Sequence, residues 1–479
     1  MSIKKNYGFN LLNSLLSIAF PIITFPYAAR ILSPEGIGKT QFIFSFAQYF
    51  AIIAAFGIPI YGIKAIAKVK DDEKKLSKTT SELLFLSMIL VLSMTAIYLI
   101  LVYSIPSFTS SIQHYLVAGF LILLSVFNVD WFFSGTEQFK IIVIRSTLVK
   151  IFGLSLLLLL VKNGGDTLGY LIFLVFIYAG NYLINFFVLI KKVKISFSNL
   201  SVKKHLKPLI LLLSMVIATT IYTTLDTVVL GFLSNDTEVG YYTAAVKLSK
   251  VSIPVLTSMG IVIIPRVSKL IQQKNFTQEL TLYTKSFSFL VLLAIPMVMG
   301  IFLLSEESIL LFSGSKFINA AEDVKILALL PLFIGIGHFL AFQILIPYNK
   351  NTGIFYSTVM GMLVFGILCF WLVPKMGSTG TAIANTITEL TVTIGYLVLI
   401  PKRIRTALPW KKILYAIFGS LLFIPIVLII KSIFTVTLFI FLYSVLLCII
   451  SYFVIQYFLF KEVLIKEIIH SIKVRLYGK

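Results

Sequence analysis

The sequence predicts an all-α polytopic membrane protein of about fourteen transmembrane helices, arranged as two pseudo-symmetric six-helix lobes plus two C-terminal helices. Three observations predict it: composition, apolar windows alternating with lysine-rich loops, and an internal repeat. Of 479 residues, 58% are hydrophobic and 13% charged, with a mean hydropathy of +0.99. A soluble domain carries about 25% charge, so a soluble globular enzyme is excluded. At roughly 20 apolar residues per span, little chain is left for a domain outside the membrane. The formal charge of +22 reads as membrane topology rather than nucleic-acid binding. Cys369 and Cys448 lie in apolar stretches and the four histidines are scattered, so neither a disulfide framework nor a metal site is expected.

Lys4 and Lys5 precede an apolar run too long for a signal peptide and interrupted by Asn10 and Asn13, so this run is the first span. Windows follow at 8–31, 40–62, 82–103, 114–134, 141–161, 168–190, 208–233, 239–264, 286–304, 326–347, 353–373, 380–400, 413–430 and 437–459. Lys and Arg favour the termini and one set of alternate loops by roughly four to one, which puts both termini in the cytoplasm. Trp131, Trp371 and Trp410 fall at span ends, where an indole is favoured. The inner loops 64–80 and 191–207 carry six lysines each. They read as topology charges, with lipid-headgroup docking as the second reading. The tail 461–479 spaces Leu464, Ile468 and Ile472 four apart among charges, the pattern of a basic amphipathic helix on the inner leaflet. Ser305 to Lys325 is the longest outer loop, too short for the acceptor platform that a polymerase or glycosyltransferase needs.

The acidic turn Ile31-Leu-Ser-Pro-Glu-Gly-Ile-Gly38 is echoed by Phe232-Leu-Ser-Asn-Asp-Thr-Glu-Val-Gly240. Arg145-Ser-Thr and Gly169 recur as Tyr356-Ser-Thr and Gly380 at a common offset of about 211 residues. The expected lobes are 1–200 with helices 1 to 6 and 201–405 with helices 7 to 12, followed by helices 13 and 14 in 406–460 and the tail 461–479. Six is even, so the repeats are parallel, the construction of carriers that rock about a midplane site. Pro21, Pro26, Gly57, Pro59, Pro254 and Gly260 cluster in helices 1, 2 and 8, where a missing hydrogen bond allows bending.

An ionisable side chain at the bilayer centre costs roughly 2.5 to 3.5 kcal/mol and persists where it meets a cavity or a partner. Lys150, Lys250 and Glu389 lie near span midpoints; Asp226 and Lys247 lie outward of theirs, at matching depth. Lys247 and Lys250 share a helix face. Arg30 ends helix 1, and Asp130 and Arg145 lie at similar depth near the inner face, placed to form a structural latch. The excess of cations points to an anionic substrate on Lys150, Lys247 and Lys250. Asp226 and Glu389 either bind a coupling cation or neutralise those lysines. His338 and Gln343 read as buried hydrogen-bonded residues. The sequence holds no phosphate-binding G-x-x-x-x-G-K-[ST] loop, no G-x-S-x-G and no H-E-x-x-H. No catalytic residue or cofactor is expected, and the chain reads as a secondary transporter, not an enzyme.

Pro21-Ile-Ile-Thr-Phe-Pro-Tyr27, Arg30-Ile-Leu-Ser-Pro-Glu-Gly-Ile-Gly38 and Gly57-Ile-Pro-Ile-Tyr-Gly-Ile63 resemble the opening of Wzx-type polysaccharide flippases. Asp130-Trp-Phe-Phe-Ser-Gly135 with Arg145 is similar to a second block of that family, and Asp226 with Val239-Gly-Tyr-Tyr-Thr-Ala-Ala-Val-Lys247 resembles a third. The wider superfamily includes multidrug exporters of the MATE type. The resemblance implies a V of two six-helix lobes that flips oligosaccharide repeat units on undecaprenyl diphosphate across the bacterial cell (inner) membrane. The product would be O-antigen, capsule or exopolysaccharide. It further implies that Arg30, Lys150, Lys247 and Lys250 bind substrate and that a proton or sodium gradient drives transport. The implied partners are bilayer lipids, a polysaccharide polymerase and a chain-length regulator, with no nucleic acid. Two rival readings are a multidrug or cation exporter on the same fold, disfavoured by the basic interior, and a membrane glycan polymerase or glycosyltransferase.

Overall fold

A computed structural model describes the backbone of residues 3–467 and the side chains there, apart from those of 3–15, 18, 211–224 and 261–262. The expected amphipathic tail from residue 468 onward lies outside the described residues. Among these, every regular element is helical. Eleven helical segments are long and apolar enough to cross a membrane, which makes the chain a multi-pass membrane protein. One of the eleven, Asn351–Leu399, has 49 residues, about 73 Å at 1.5 Å per residue, more than twice a bilayer core of roughly 30 Å. It breaks at Gly377, whose φ of 52° and ψ of −125° are open to glycine. The break falls between the two windows expected there.

The chain divides into two compact units, Met1–Gly240 and Tyr241–Lys479. The first holds α1 (Ile3–Ile31), α2 (Pro34–Ala55), α3 (Ile58–Ala67), α4 (Glu73–Ser104), α5 (Pro106–Thr109), α6 (Ile112–Leu124), α7 (Asp130–Gly135), α8 (Phe139–Leu160), α9 (Thr167–Ile190) and α10 (Lys203–Leu233). The start of α11 (Asp236–Lys250) belongs to it as well. Sequence repeat and packing divide the chain differently: α10, counted from the repeat as the opening of a second lobe, packs on α2 and α3.

The echoed acidic turns are helix starts. Ser33 caps α2, accepting from the Gly36 N–H at 3.2 Å, with Pro34 in the first turn. Asn235 does the same for α11, accepting from the Glu238 N–H at 3.1 Å. Each cap is followed by a glycine that lets the two helix starts touch. A Cβ on Gly38 would lie 1.6 Å from the Asp236 carbonyl oxygen, and one on Gly240 2.0 Å from that of Pro34.

Several expected continuous spans are interrupted, a correction to the windows. The second breaks at Phe56 and Gly57, both left-handed at φ 46° and 76°. The glycine adopts this freely, and Phe56 is held there at a cost of about 1–2 kcal/mol. The fourth window is broken by a 3-10 turn at Ser125–Phe127. The eighth breaks at residues 251–252, so Pro254 starts the next helix rather than kinking one. Pro21 and Pro26 leave α1 unbroken. Trp131, near the end of its span, is buried against protein, donating to the Asn128 carbonyl at 3.1 Å and filling the space where Gly62 lacks a side chain.

The second unit continues with α12 (Ile253–Gln272), α13 (Phe276–Leu303), α14 (Ser305–Ser313), α15 (Ala320–Leu327), α16 (Leu330–His338), a π-helical turn Phe339–Leu345, and α17 (Asn351–Leu399). Then follow α18 (Lys402–Ala407), α19 (Lys411–Leu421), α20 (Phe423–Ile433) and α21 (Thr437–Phe458). The expected outer loop Ser305 to Lys325 is largely helical, because α14 and α15 lie within it. Lys431 of α20 pairs with Glu307 of α14 at 2.8 Å, and Lys412 of α19 with Glu462 at 2.6 Å. The first contact pins the appended helices to α14, and the second ties their two ends together. Outward faces expose Ile367, Phe370, Trp371 and Phe458, apolar surface that only lipid would cover.

Gly240→Ala should destabilise the protein by about 1–3 kcal/mol, because the methyl meets backbone that cannot swing aside. Gly165→Ala, with nothing within 4 Å, is the control. Thermal unfolding in detergent, followed by size-exclusion profiles, should separate the two.

Candidate functional site

In the first unit, Lys150 projects from α8 and is half-buried, donating to Ser17 Oγ of α1 at 3.0 Å. Arg30 stands exposed in the last turn of α1. Asp226 on α10 is buried, its Oδ1 accepting from the Thr227 N–H at 2.7 Å. Asp130 and Arg145 meet at 2.8 Å. Arg145 also donates from Nε to Asn181 Oδ1 at 3.0 Å, and Asn185 donates to Asp130 Oδ1 at 2.6 Å. The planar guanidinium thereby joins α7, α8 and α9 through fixed, divergent donors.

A cavity of about 350 Å³ opens beside this network, lined by Gln48, Gly57, Pro59, Asn128, Tyr178 and Tyr182 among others. Its polar groups are neutral, and none of the expected substrate cations lines it. Amides, hydroxyls and phenol rings in one concave space suit a polyhydroxylated ligand.

In the second unit, Lys247 and Lys250 occupy the last turn of α11 and are half-buried. The break after Lys250 sets both ammoniums where the helix dipole favours positive charge. Glu389 is half-buried on α17 beyond the Gly377 break. Gln343 sits in the π-helical turn, accepting from Ser286 Oγ at 2.7 Å, and His338 stacks on Phe342 at 4.6 Å. A Cβ on Gly260 would lie 3.1 Å from the His338 ring and 3.2 Å from Gln343 Nε2, so the backbone of α12 closes against this polar spot. An apolar cavity of about 430 Å³ lies between α13 and the appended helices, lined by Leu292, Pro296, Phe423, Val427, Cys448 and Tyr452 among others.

Sequence reasoning missed several buried carboxylates, Glu82, Glu279, Glu307, Asp323 and Glu462 among them. Glu82 of α4 is fully buried; it receives Lys204 at 2.7 Å, His205 Nε2 at 2.9 Å and the Ser201 N–H at 2.9 Å. An ionised carboxylate only accepts, so His205 Nε2 carries a proton, and Nδ1 is hydrogen-bonded with the Tyr61 hydroxyl at 2.8 Å. Glu279 of α13 is equally buried, bonded to Arg403 at 3.2 Å and to the Tyr348 hydroxyl at 2.6 Å. The signal was in the spacing: Glu82 precedes His205 by 123 residues, and Glu279 precedes Arg403 by 124. Both glutamates fell at or before window edges, because α4 and α13 begin well ahead of their apolar cores.

Among the described residues no group of three or more His, Cys, Asp or Glu side chains is placed to hold a metal. Apolar helices in two units, with isolated charges held inside them, define the class of polytopic membrane carriers. The solved structures agree on that fold. A lipid II flippase, MurJ in an inward closed conformation, matches with a TM-score of 0.72 over 95% of this chain and 99% of its own, at 18% identity. An inward-facing MATE family multidrug transporter matches with a TM-score of 0.57 over 82% and 95%, at 17% identity.

The chain belongs to the polysaccharide biosynthesis protein family, whose model matches residues 3–271, more than half its length. The MatE family model matches residues 212–372. Two curated relatives, from Shigella dysenteriae and Escherichia coli (strain K12), are each named "Putative O-antigen transporter". The first is 25% identical over 82% of this chain and 98% of its own, the second 24% over 82% and 95%.

Arg145→Lys should destabilise by about 1–2 kcal/mol in thermal unfolding, since an ammonium cannot serve Asp130 and Asn181 together. Arg145→Ala should cost more. Equal stability of the lysine variant and wild type would mean the fork geometry is unimportant.

Proposed function

We propose that the protein is a secondary transporter that flips undecaprenyl-diphosphate-linked oligosaccharide repeat units from the cytoplasmic to the outer leaflet, for synthesis of O-antigen, capsule or exopolysaccharide. The observation that carries this reading is the set of half-buried cations, Lys150 in the membrane-crossing α8 and Lys247 with Lys250 in the last turn of α11, in a chain whose curated relatives are named as O-antigen transporters. Ammonium groups held among apolar helices attract an anion strongly, and a diphosphate is such an anion.

The remaining chemistry suits the rest of such a molecule. The neutral polar cavity of the first unit offers hydroxyl and amide partners for sugars. The apolar cavity of the second is lined by hydrocarbon and suits a polyprenyl chain. Arg30, exposed at the end of α1, would meet the same anion. Movement would follow alternating access between the repeats 1–200 and 201–405, with helices 13 and 14 in 406–460 as an accessory, across fourteen spans with both termini cytoplasmic in a bacterial inner membrane. A proton or sodium gradient would drive it, with Asp226 or Glu389 binding the coupling ion or neutralising the lysines. Asp130 and Arg145 act as a structural latch. The protein does no covalent chemistry itself; a polysaccharide polymerase and a chain-length regulator would receive the product.

The second reading is multidrug or cation export, favoured by the MatE match over residues 212–372. A binding space for organic cations calls for acidic walls, and the cations named above oppose it.

In proteoliposomes holding a fluorescent undecaprenyl-diphosphate oligosaccharide under an imposed potential and ion gradient, wild type should flip the lipid. Lys150→Ala and Lys250→Ala should fold yet lose roughly tenfold in rate, the worth of one charge-assisted hydrogen bond. Wild type that ignores this lipid and moves organic cations would establish the exporter reading instead.

A further inference from the structure

On the lysine-rich side of the first unit, the start of α4 and the segment after α9 enclose a cavity of about 600 Å³. Its walls carry Lys74, Lys78, Lys192 and Lys194, with Ser198 and Asn199 between them, against one carboxylate, Glu73. Among the described residues, Lys74, Lys78 and Lys194 enter no ion pair, and Lys192 holds the side-chain oxygen of Gln138. The two walls are tied together: Ser77 donates to the Lys194 carbonyl, and Ser81 accepts from the Ser196 N–H at 3.0 Å. The ammoniums are therefore gathered on a built frame, where they repel one another unless an anion lies among them.

The same face of α4 continues from Ser77 and Ser81 through Phe85, Met88, Ile89 and Leu92, at helical spacing of three and four. Met88, Ile89 and Leu92 are exposed. Phe197, exposed on the facing segment, lies with its ring 6.1 Å from that of Phe85. A cationic cradle thus stands at the head of an apolar track that runs into the hydrocarbon region.

We propose that this cavity binds the phosphodiester headgroup of an anionic phospholipid from the lysine-rich leaflet, with an acyl chain along the Phe85 to Leu92 face. A basic pocket between transmembrane helices is the arrangement that recognises such headgroups. Free inorganic phosphate would use the lysines but leave the apolar track unused. The site is separate from the cations assigned to transported substrate, and it does not depend on what the protein transports.

The test uses the full-length protein in a zwitterionic detergent, with thermal unfolding and native mass spectrometry after addition of phosphatidylglycerol, phosphatidylcholine or inorganic phosphate. Phosphatidylglycerol should raise the unfolding midpoint and remain bound, and the other two should not. The variant carrying Lys74→Gln, Lys78→Gln, Lys192→Gln and Lys194→Gln should lose binding by roughly fivefold per lysine. A control with Lys68→Gln, Lys269→Gln, Lys274→Gln and Lys402→Gln should keep it. Phe197→Ser, which leaves every charge in place, should weaken phosphatidylglycerol binding by itself, and it serves if the fourfold variant fails to fold. Equal loss in the control would overturn the proposal in favour of diffuse surface charge. Inorganic phosphate matching phosphatidylglycerol would overturn it in favour of a simple anion site, as would retention of the lipid by the Phe197→Ser protein at wild-type strength.

Discussion

A carboxylate removed from water must keep its charge compensated, and two such groups organise this chain. Glu82 and Glu279 are both fully buried, and an isolated buried charge is too costly to persist. Each lies near the start of a long helix, and each takes its base from the segment following α9 or α17, Lys204 with His205 in one unit and Arg403 in the other. The start of α4 is thereby tied to the start of α10, and the start of α13 to α18. Separations of 123 and 124 residues make the two ties counterparts of one another. A buried pair of this kind contributes little net stability against an apolar substitute; its effect is to specify which segments dock.

Backbone satisfaction sets the second constraint. In hydrocarbon, each unbonded N–H or carbonyl is penalised, so helices break only where a cap, a glycine or a neighbouring helix serves the freed groups. Several of the breaks here obey that rule. Ser33 and Asn235 cap helix starts, Gly57 and Gly377 take left-handed φ values, and a π-helical turn carries Gln343. The caps also bring Gly38 and Gly240 against opposing backbone. Glycine is needed there for approach rather than for its dihedral freedom, and any methyl would push the helix starts apart.

Charged, neutral polar and apolar chemistry occupy separate places. The half-buried lysines are spread over α8 and α11, the neutral polar cavity lies beside the latch of Asp130 and Arg145, and the apolar cavity borders the appended helices. A lipid-linked oligosaccharide has a charged, a sugar and a hydrocarbon part, and a carrier for it gains selectivity by meeting each with its own surface. A small organic cation has no use for such a division. Packing also explains why α10 stays with the first unit: its N-terminal turn delivers Lys204 and His205 to Glu82.

Helical class, multi-pass character and family resemblance were legible in the sequence. Apolar run length and charge placement are local properties that hydrocarbon imposes residue by residue. The pairing of Asp130 with Arg145 was visible too, since matching depth on adjoining helices left few alternatives. The helix breaks at residues 56–57 and 251–252, the burial of Trp131 and the contact of Gly38 with Gly240 were decided by tertiary structure. Each depends on which helix lies alongside, and hydropathy does not encode neighbours. For the same reason Glu82 and Glu279 read from sequence as ordinary charges at window edges. Only folding, which brings a base from more than a hundred residues away, turns them into the buried ties on which each unit is built.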